Sequence, residues 1–478
     1  MSTPDLNSVQ GDILVGGFPK KTETYLFFKI AKVPEFKKDL AEFAPLVKST
    51  ADVLKDRKDI QEHKKRCERE GKKPDLIPLV GVNISFSRFG LDKLGISSTD
   101  IDALKDTSFS NGQFKDSFAL GDKGEGTQDS FEPDWDPAFK EKLDGIILVA
   151  GESHLSVTKK LAEIKHIFGV GTHKPSINEI KSISGDVRPD EEAGHEHFGF
   201  LDGISNPAII GVDEELPQVP KPIRPGFIVA GRDGDIPGRP AWALDGSFLV
   251  FRYLFQLVPE FDSFLEEHPV PDPRLTKQEA IDLRGARMVG RWKSGTPIEC
   301  AELAPLKDDP EIAKDPKRTR RRPISMPFAA HIRKTLPRAD LEDKFGDTVL
   351  ESRRIMRRGI QFGPEVTPIE KAHKRSQHGR GLLFVCYQSS IDKGFHFIQQ
   401  SWANAESFPP GTSITPGFDA IIGQAGGGGA RQLSGTNPLD VKEELTLPHE
   451  FIVTRGGEYF FTPSIKALKE TFSGKATA

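Results

Sequence analysis

The run Thr24-Tyr25-Leu26-Phe27-Phe28-Lys29-Ile30 is short, β-rich and mostly apolar, and Val33-Pro34-Glu35-Phe36 then opens a helix-like pattern. Proline sits well in the first turn of a helix. The same order returns at Ser247-Phe248-Leu249-Val250-Phe251-Arg252-Tyr253, followed by Val258-Pro259-Glu260-Phe261 and a second helix-like stretch. Each half also carries a late apolar run that leads into a helical pattern. In the first half it is Ile146 to Ala150, then Ser156 to Phe168; in the second it is Leu382 to Cys386, then Lys393 to Trp402. Two β-α-β units, about 225 to 236 positions apart, predict an α+β fold made of two ferredoxin-like domains.

Between them, Glu215 to Gly226 contains Pro217, Pro220, Pro222 and Pro225, which oppose regular structure and predict an extended connection. The expected organisation is a first domain over 1–215, a connection over 216–242 and a second domain over 243–478. A length of 478 residues is itself long for one core.

Composition narrows the classes of function. Charged residues make up 28% and hydrophobic ones 36%, as in a globular protein. A net charge of −4 gives no reason to expect nucleic acid or an anionic membrane as partner. No apolar run approaches the ~20 residues of a membrane helix. The three cysteines, Cys67, Cys300 and Cys386, form neither a disulfide framework nor a zinc pattern. There are 33 Phe but only 4 Tyr, 4 Trp and 4 Met. Methionine is readily oxidised, and Tyr and Trp form radicals easily, so the bias suits a chain that handles a strong oxidant as well as it suits compositional drift.

Three segments carry the candidate chemistry. The first is Glu196-His197-Phe198-Gly199-Phe200-Leu201-Asp202-Gly203-Ile204-Ser205-Asn206-Pro207. By itself an Asp beside Gly is turn chemistry. The others are Phe328-Ala329-Ala330-His331-Ile332-Arg333 and Arg357-Arg358-Gly359-Ile360-Gln361-Phe362-Gly363. Asp202 falls at the end of the first half, whereas His331 and Arg357 lie in the second, so a shared pocket is expected near their junction. Other conspicuous runs read as structural. Gly426 to Gly429 lacks the Lys-Ser/Thr ending of a phosphate loop, and Lys317 to Arg322 reads as a solvated basic loop. His195-Glu196-His197 supplies two ligands without a third. Asp340, Glu342, Asp343 and Asp347 read as solvated helix surface. Asn83-Ile84-Ser85 is a glycosylation sequon.

An acid, a histidine and an arginine in this order, with Gly-x-x-Asp-Gly at Gly199 to Gly203, resemble the haem site of the dye-decolorising peroxidases, and the likeness to the fungal members runs from Gln10-Gly11-Asp12 to Thr462-Pro463-Ser464. The resemblance implies a dimeric α+β barrel-like fold, with one haem b per chain between an antiparallel sheet and helices, and hydrogen peroxide as oxidant. His331 matches the axial iron ligand, with Asp419 behind it to accept the second ring N–H. Asp202 matches the acid–base group that moves a proton between the peroxide oxygens. Arg357 matches the cation that stabilises the departing oxygen. Leu382 and Phe384 match the apolar residues of that pocket, which on their own also read as strand core. Arg333 is placed to pair with a haem propionate or a surface acid, and Gly203 to bring backbone close to the flat cofactor.

Bulky dyes then need electron transfer through the protein. Trp402 matches a surface tryptophan used for this, and Tyr387 is a substitute for a tyrosine that some relatives carry at the position of Phe362. The expected substrates are small phenolic or aromatic compounds and anthraquinone-type dyes, with neither nucleic acid nor membrane as partner and with monomer and homodimer both open. The alternative is a haem-binding or haem-handling protein with incidental peroxidase activity. The fungal resemblance implies secretion; the start of the chain shows no charged-then-apolar leader, which keeps a cytoplasmic location as the alternative. A carboxylate base titrates near ~3.9 where a histidine titrates near ~6.5, so activity is expected on the acidic side of neutral.

Overall fold

Strand β1 (Thr22–Ile30) is buried along nearly its whole length, and its period of two shows what covers it. Leu26, Phe28 and Ile30 pack with Phe36, Leu40 and Phe43 of the helix Val33–Phe43. Tyr25 and Phe27 point the other way, into a second apolar cluster. A strand that is apolar on both sides belongs inside a layered sheet. The computed structural model describes residues 3–213, 221–299, 326–426 and 429–474.

The first half adds β2 (Val80–Phe86), a detached hairpin β3 (Gly124–Glu125) with β4 (Glu132–Pro133), then β5 (Gly145–Gly151) and β6 (Ile177–Asp186). The second half supplies β7 (Ser247–Gln256), β8 (Met356–Arg357), β9 (Ile360–Phe362) and β10 (Gly381–Gln388). A second detached hairpin, β11 (Arg431–Ser434) with β12 (Glu444–Leu447), precedes β13 (Ile452–Thr462). The main sheet runs β6-β1-β5-β2-β13-β7-β10-β8, with β9 also on β10, and its pairings are antiparallel. When the strands of each half are numbered in chain order, with β8 and β9 sharing second place, both halves read 4-1-3-2. The faint repeat in the sequence is therefore a duplicated α+β unit of ferredoxin-like order.

The two units join in one sheet through the pair Phe86–Phe461. At the far edges β6 lies against β9. A Cβ on Gly185 would stand 2.4 Å from the Gln361 carbonyl and 2.6 Å from the Ile360 side chain, so only glycine permits the approach. The sheet thus curls until its edges meet, around an interior of Tyr25, Phe27, Leu249, Phe251, Val385 and Tyr387.

Of the proline-rich connection, residues 214–220 lie outside the described part. Pro225 opens a 3-10 turn, Pro225–Phe227, instead of continuing an extended chain, and Ile223 bridges back to Ile209. The basic run Lys317 to Arg322, Cys300 and the middle of the Gly426 to Gly429 run also lie outside the described residues.

Strand register shows where the sheet leaves room. The outer face passes from Leu26 through Ile147 to Ile84, and from Phe86 through Phe461 to Phe248. On the same face of β7 and β10, Arg252 pairs with Phe384 and Leu254 with Leu382. Helices fill this face in the first half; in the second, it forms one wall of a cavity.

Candidate active site

The cavity holds about 1710 Å³, its open mouth included. Arg252, Leu254, Gln256, Leu382, Phe384, Ile452 and Thr454 line it from the sheet, and Asp202, His331 and Arg357 converge on it from elsewhere.

Asp202 is presented by a loop that Glu196 folds. The Glu196 carboxylate accepts the backbone N–H groups of Phe198 at 3.0 Å and Phe200 at 2.9 Å, and the amide of Gln256 on β7. This turns Phe198 and Phe200 into an apolar cluster with Phe261 and Phe264 and leaves Asp202 facing the cavity. The Asp202 Oδ1 accepts from the Gly203 N–H at 2.6 Å and from Arg357 Nη1 at 2.5 Å. Arg357 comes from β8, paired to β10 opposite Cys386. Asn206 locks the two segments together. Its Oδ1 accepts the Arg357 N–H at 2.9 Å and its Nδ2 donates to the Arg357 carbonyl at 3.2 Å.

His331 is the first residue of the short helix His331–Thr335, set behind the fully buried Ala329 and Ala330. Its Nδ1 lies 3.0 Å from Asp419 Oδ2. Asp419 is fully buried and also accepts the N–H groups of Ile421 and Ile422 at 2.8 and 2.9 Å. Because a carboxylate only accepts, Nδ1 must carry a proton, and Nε2 remains as the imidazole's lone-pair nitrogen.

Burial alone would raise the pKa of Asp202, but the Arg357 charge, its hydrogen bond and the Gly203 N–H outweigh that and hold the carboxyl below its usual range. Burial likewise opposes a charged His331, yet Asp419 raises its basicity, and Arg357 and Asp202 act on it from across the cavity. Asp419 is held down by His331 and its two backbone donors against the effect of burial. Arg354 is pushed down to about 10 by burial and by the charges of Arg338 and Arg357; Arg338 and Arg354 both line the cavity. This is a positive cluster that favours an anionic group beside it.

Sequence reasoning brought Asp202, Arg357, His331, Asp419, Leu382 and Phe384 to one place, and the structure assembles them there. The other four residues sit elsewhere. Arg333 does not reach the cavity: its guanidinium is bound to Asp340 at 2.8 Å and stacked on Phe328. Gly203 does not line the cavity either; at φ +79° its role is to turn the chain and donate its N–H to Asp202. Tyr387 is no surface residue. Strand alternation turns it away from Phe384 into the barrel interior, fully buried near Asp12. Trp402 is 3% exposed, in the π-helical turn Ile398–Ala403, stacked on Phe408 at 5.2 Å.

Phe362 packs 4.9 Å from Tyr253, the least buried of the four tyrosines. His197 is tied to the Phe362 carbonyl at 2.9 Å, and burial lowers its pKa to about 4. Asn83 is buried in β2, which closes the sequon in the folded chain. Of the acidic run, Asp340 is the partner of Arg333, and the side chain of Asp347 lies outside the described part. Glu196 and Asn206 escaped sequence reasoning although both sit inside the quoted motif, because only the fold shows that they brace it.

Two family models cover most of the chain: the DyP dimeric alpha+beta barrel domain over residues 8–189, and the Dyp-type peroxidase C-terminal domain over residues 195–408. A dye-decolorizing peroxidase of Auricularia auricula-judae is 40% identical, with 97% of this chain and 86% of that protein aligned. One from Mycena epipterygia is 38% identical over the same shares. The solved structure of a variant dye-decolorizing peroxidase from Pleurotus ostreatus superposes with TM-score 0.90 at 54% identity, covering 98% of this chain and 100% of that one. A solved dye-decolorizing peroxidase complex with 2,6-dimethoxyphenol superposes with TM-score 0.84 at 38% identity, over 99% and 100% of the two chains. A deferrochelatase of Yersinia pestis is 30% identical over 42% of this chain and 36% of its own. The fold and site define a peroxidase, an oxidoreductase built on a dimeric α+β barrel. The chain belongs to the dye-decolorising peroxidase family.

Proposed function

We propose that the cavity binds one haem b, which His331 would hold through its iron, and that the protein uses hydrogen peroxide to oxidise phenolic compounds and bulky anthraquinone-type dyes. The observation that carries this reading is the pairing on one cavity of His331–Asp419 with Asp202–Arg357. The residues present fit the cofactor. The His331 Nε2 is left as a ligand nitrogen once Asp419 has taken Nδ1–H, apolar side chains suit a flat macrocycle, and Arg338 and Arg354 offer counter-charge for carboxylates. When bound, haem supplies the redox-active iron that accepts the oxidising equivalents of peroxide.

Asp202 takes the proton from the inner oxygen of peroxide and returns it to the outer oxygen, which leaves as water. Arg357 stabilises the negative charge that builds on the departing oxygen and keeps Asp202 ionised in acid. Leu382 and Phe384 narrow this side of the cavity, so bulky dyes act at the surface. Trp402 is the relay in this reading, since it follows the cavity-lining Ile398 and Gln399 in the same π-helical turn. Secretion completes the proposal, and recovery of the enzyme from culture medium tests it.

The experiment is a spectrum of the purified protein. A Soret band and its rapid change on adding peroxide are expected; the absence of a Soret band after haem supplementation would remove the reading. The partial likeness to a deferrochelatase favours a second reading, haem handling. A Soret band that does not respond to peroxide would select it.

A further inference from the structure

The last two turns of the long helix Thr50–Arg69 and the loop after it carry a cluster outside the cavity. His63 and Cys67 are four residues apart and share one helix face. The helix ends at Gly71, whose φ of +64° reverses the chain, and Lys72 N–H closes back on the Cys67 carbonyl at 2.9 Å. The returning loop sets Asp75 against His63. The three ligand atoms lie within 4.8 Å of one another, and none of the three residues lines the cavity. Among the described residues no other trio of His, Cys, Asp or Glu side chains meets in this way.

We propose that His63, Cys67 and Asp75 form a site for a borderline-soft divalent transition-metal ion of the zinc type, with water as fourth ligand. Thiolate, imidazole and carboxylate together select such an ion over magnesium, calcium or manganese. The spacing agrees. Zinc bonds of about 2.3 Å to sulfur and 2.0–2.1 Å to nitrogen, at a tetrahedral angle, place the two ligand atoms about 3.5 Å apart. Cys67 Sγ and His63 Nε2 stand 3.6 Å apart. Asp75 now sits closer, 2.7 Å from His63 Nε2, so its carboxylate must retreat by a fraction of an ångström; with 86% of its side chain exposed it is free to do so. Binding releases the Cys67 thiol proton to solvent. The ring proton of His63 shifts from Nε2 to Nδ1, and the exposed Arg66, which now donates to Nδ1 at 2.9 Å, swings into solvent. The ion would pin the loop after Gly71 to the helix.

The test uses the full-length protein with its cavity loaded, reduced and then freed of adventitious metal by a chelator. Zinc binding is measured by equilibrium dialysis, and alkylation of Cys67 is followed by peptide mass spectrometry with and without zinc. The expected result is one zinc ion per chain lost by Cys67→Ser and by His63→Ala, each binding at least about tenfold more weakly, together with slowed alkylation of Cys67 in the parent. Asp75→Asn alters only an exposed side chain, and it should weaken binding without changing stability. Equal zinc binding by the parent and Cys67→Ser, or alkylation indifferent to zinc, overturns the proposal.

Discussion

The outer face of the sheet is one surface with two fates. In the first half Phe28, Phe36, Phe43, Phe86 and Phe168 pack into an aromatic cluster, with Phe36 and Phe168 stacked at 5.5 Å. In the second half the corresponding face of β7 and β10 carries Arg252, Leu254, Gln256, Leu382 and Phe384, and a cavity opens over it. The topology is the same, so the backbone does not decide which half is catalytic. Side chains decide: large rings fill one copy, while the other, Phe384 apart, exchanges them for polar and smaller groups and brings Asp202, His331 and Arg357 in from loops and short elements.

Substitutions on the two faces should therefore fail in different ways. The largest effect is expected for Asp202→Asn, which should slow the reaction with peroxide by roughly 10²–10⁴-fold while Soret absorbance and melting temperature stay as in the parent; stopped-flow absorbance measures it. Phe36→Ala should do the reverse. It should cost about 3–5 kcal/mol of stability in denaturant unfolding and leave the peroxide rate per folded molecule unchanged. A lost peroxide rate in Phe36→Ala would break the division between the faces.

Arg357→Ala removes the charge that holds Asp202 down, so burial then governs and the carboxyl titrates higher. Asp202 works ionised, so the peroxide rate is lost as pH falls through its pKa. In the parent that loss lies below the ordinary aspartate value of 3.8; in the variant it should move up by roughly 1–3 pH units, as a pH–rate profile would show. Asp419→Asn should weaken haem retention by roughly 10–100-fold, read by transfer of haem to an acceptor protein. The smallest effect is expected for Trp402→Phe, which should slow a bulky dye by about tenfold, about 1.4 kcal/mol in barrier, and leave a small phenol untouched. Equal dye rates would discard the relay.

The duplicated fold was legible because apolar alternation and the Val-Pro-Glu-Phe signals are local. Asp202, His331 and Arg357 were legible from ordered motifs, and their meeting was legible from the expected junction. Side-chain direction was not. Tyr387 and Phe384 are three residues apart on β10, yet the pleat sends them to opposite faces. Trp402 follows a helical run, and only the tertiary stacking on Phe408 shows that it is covered. Arg333 was drawn to an acid as expected, but to Asp340, seven residues along, a choice that loop geometry alone makes. Glu196 acts through backbone groups of its own loop, and such bonds leave no trace in residue type.

Asn206 grips both backbone groups of Arg357. The loop bearing Asp202 is thus registered against β8 by the Asn206 side chain on the main chain of residue 357, a tie that substitutions other than proline at 202 or 357 retain. The site behaves as a socket: its chemical teeth can be exchanged while the spacing between them is kept. A lineage that carries this socket can explore other proton carriers at position 202 without first rebuilding the architecture that aims them.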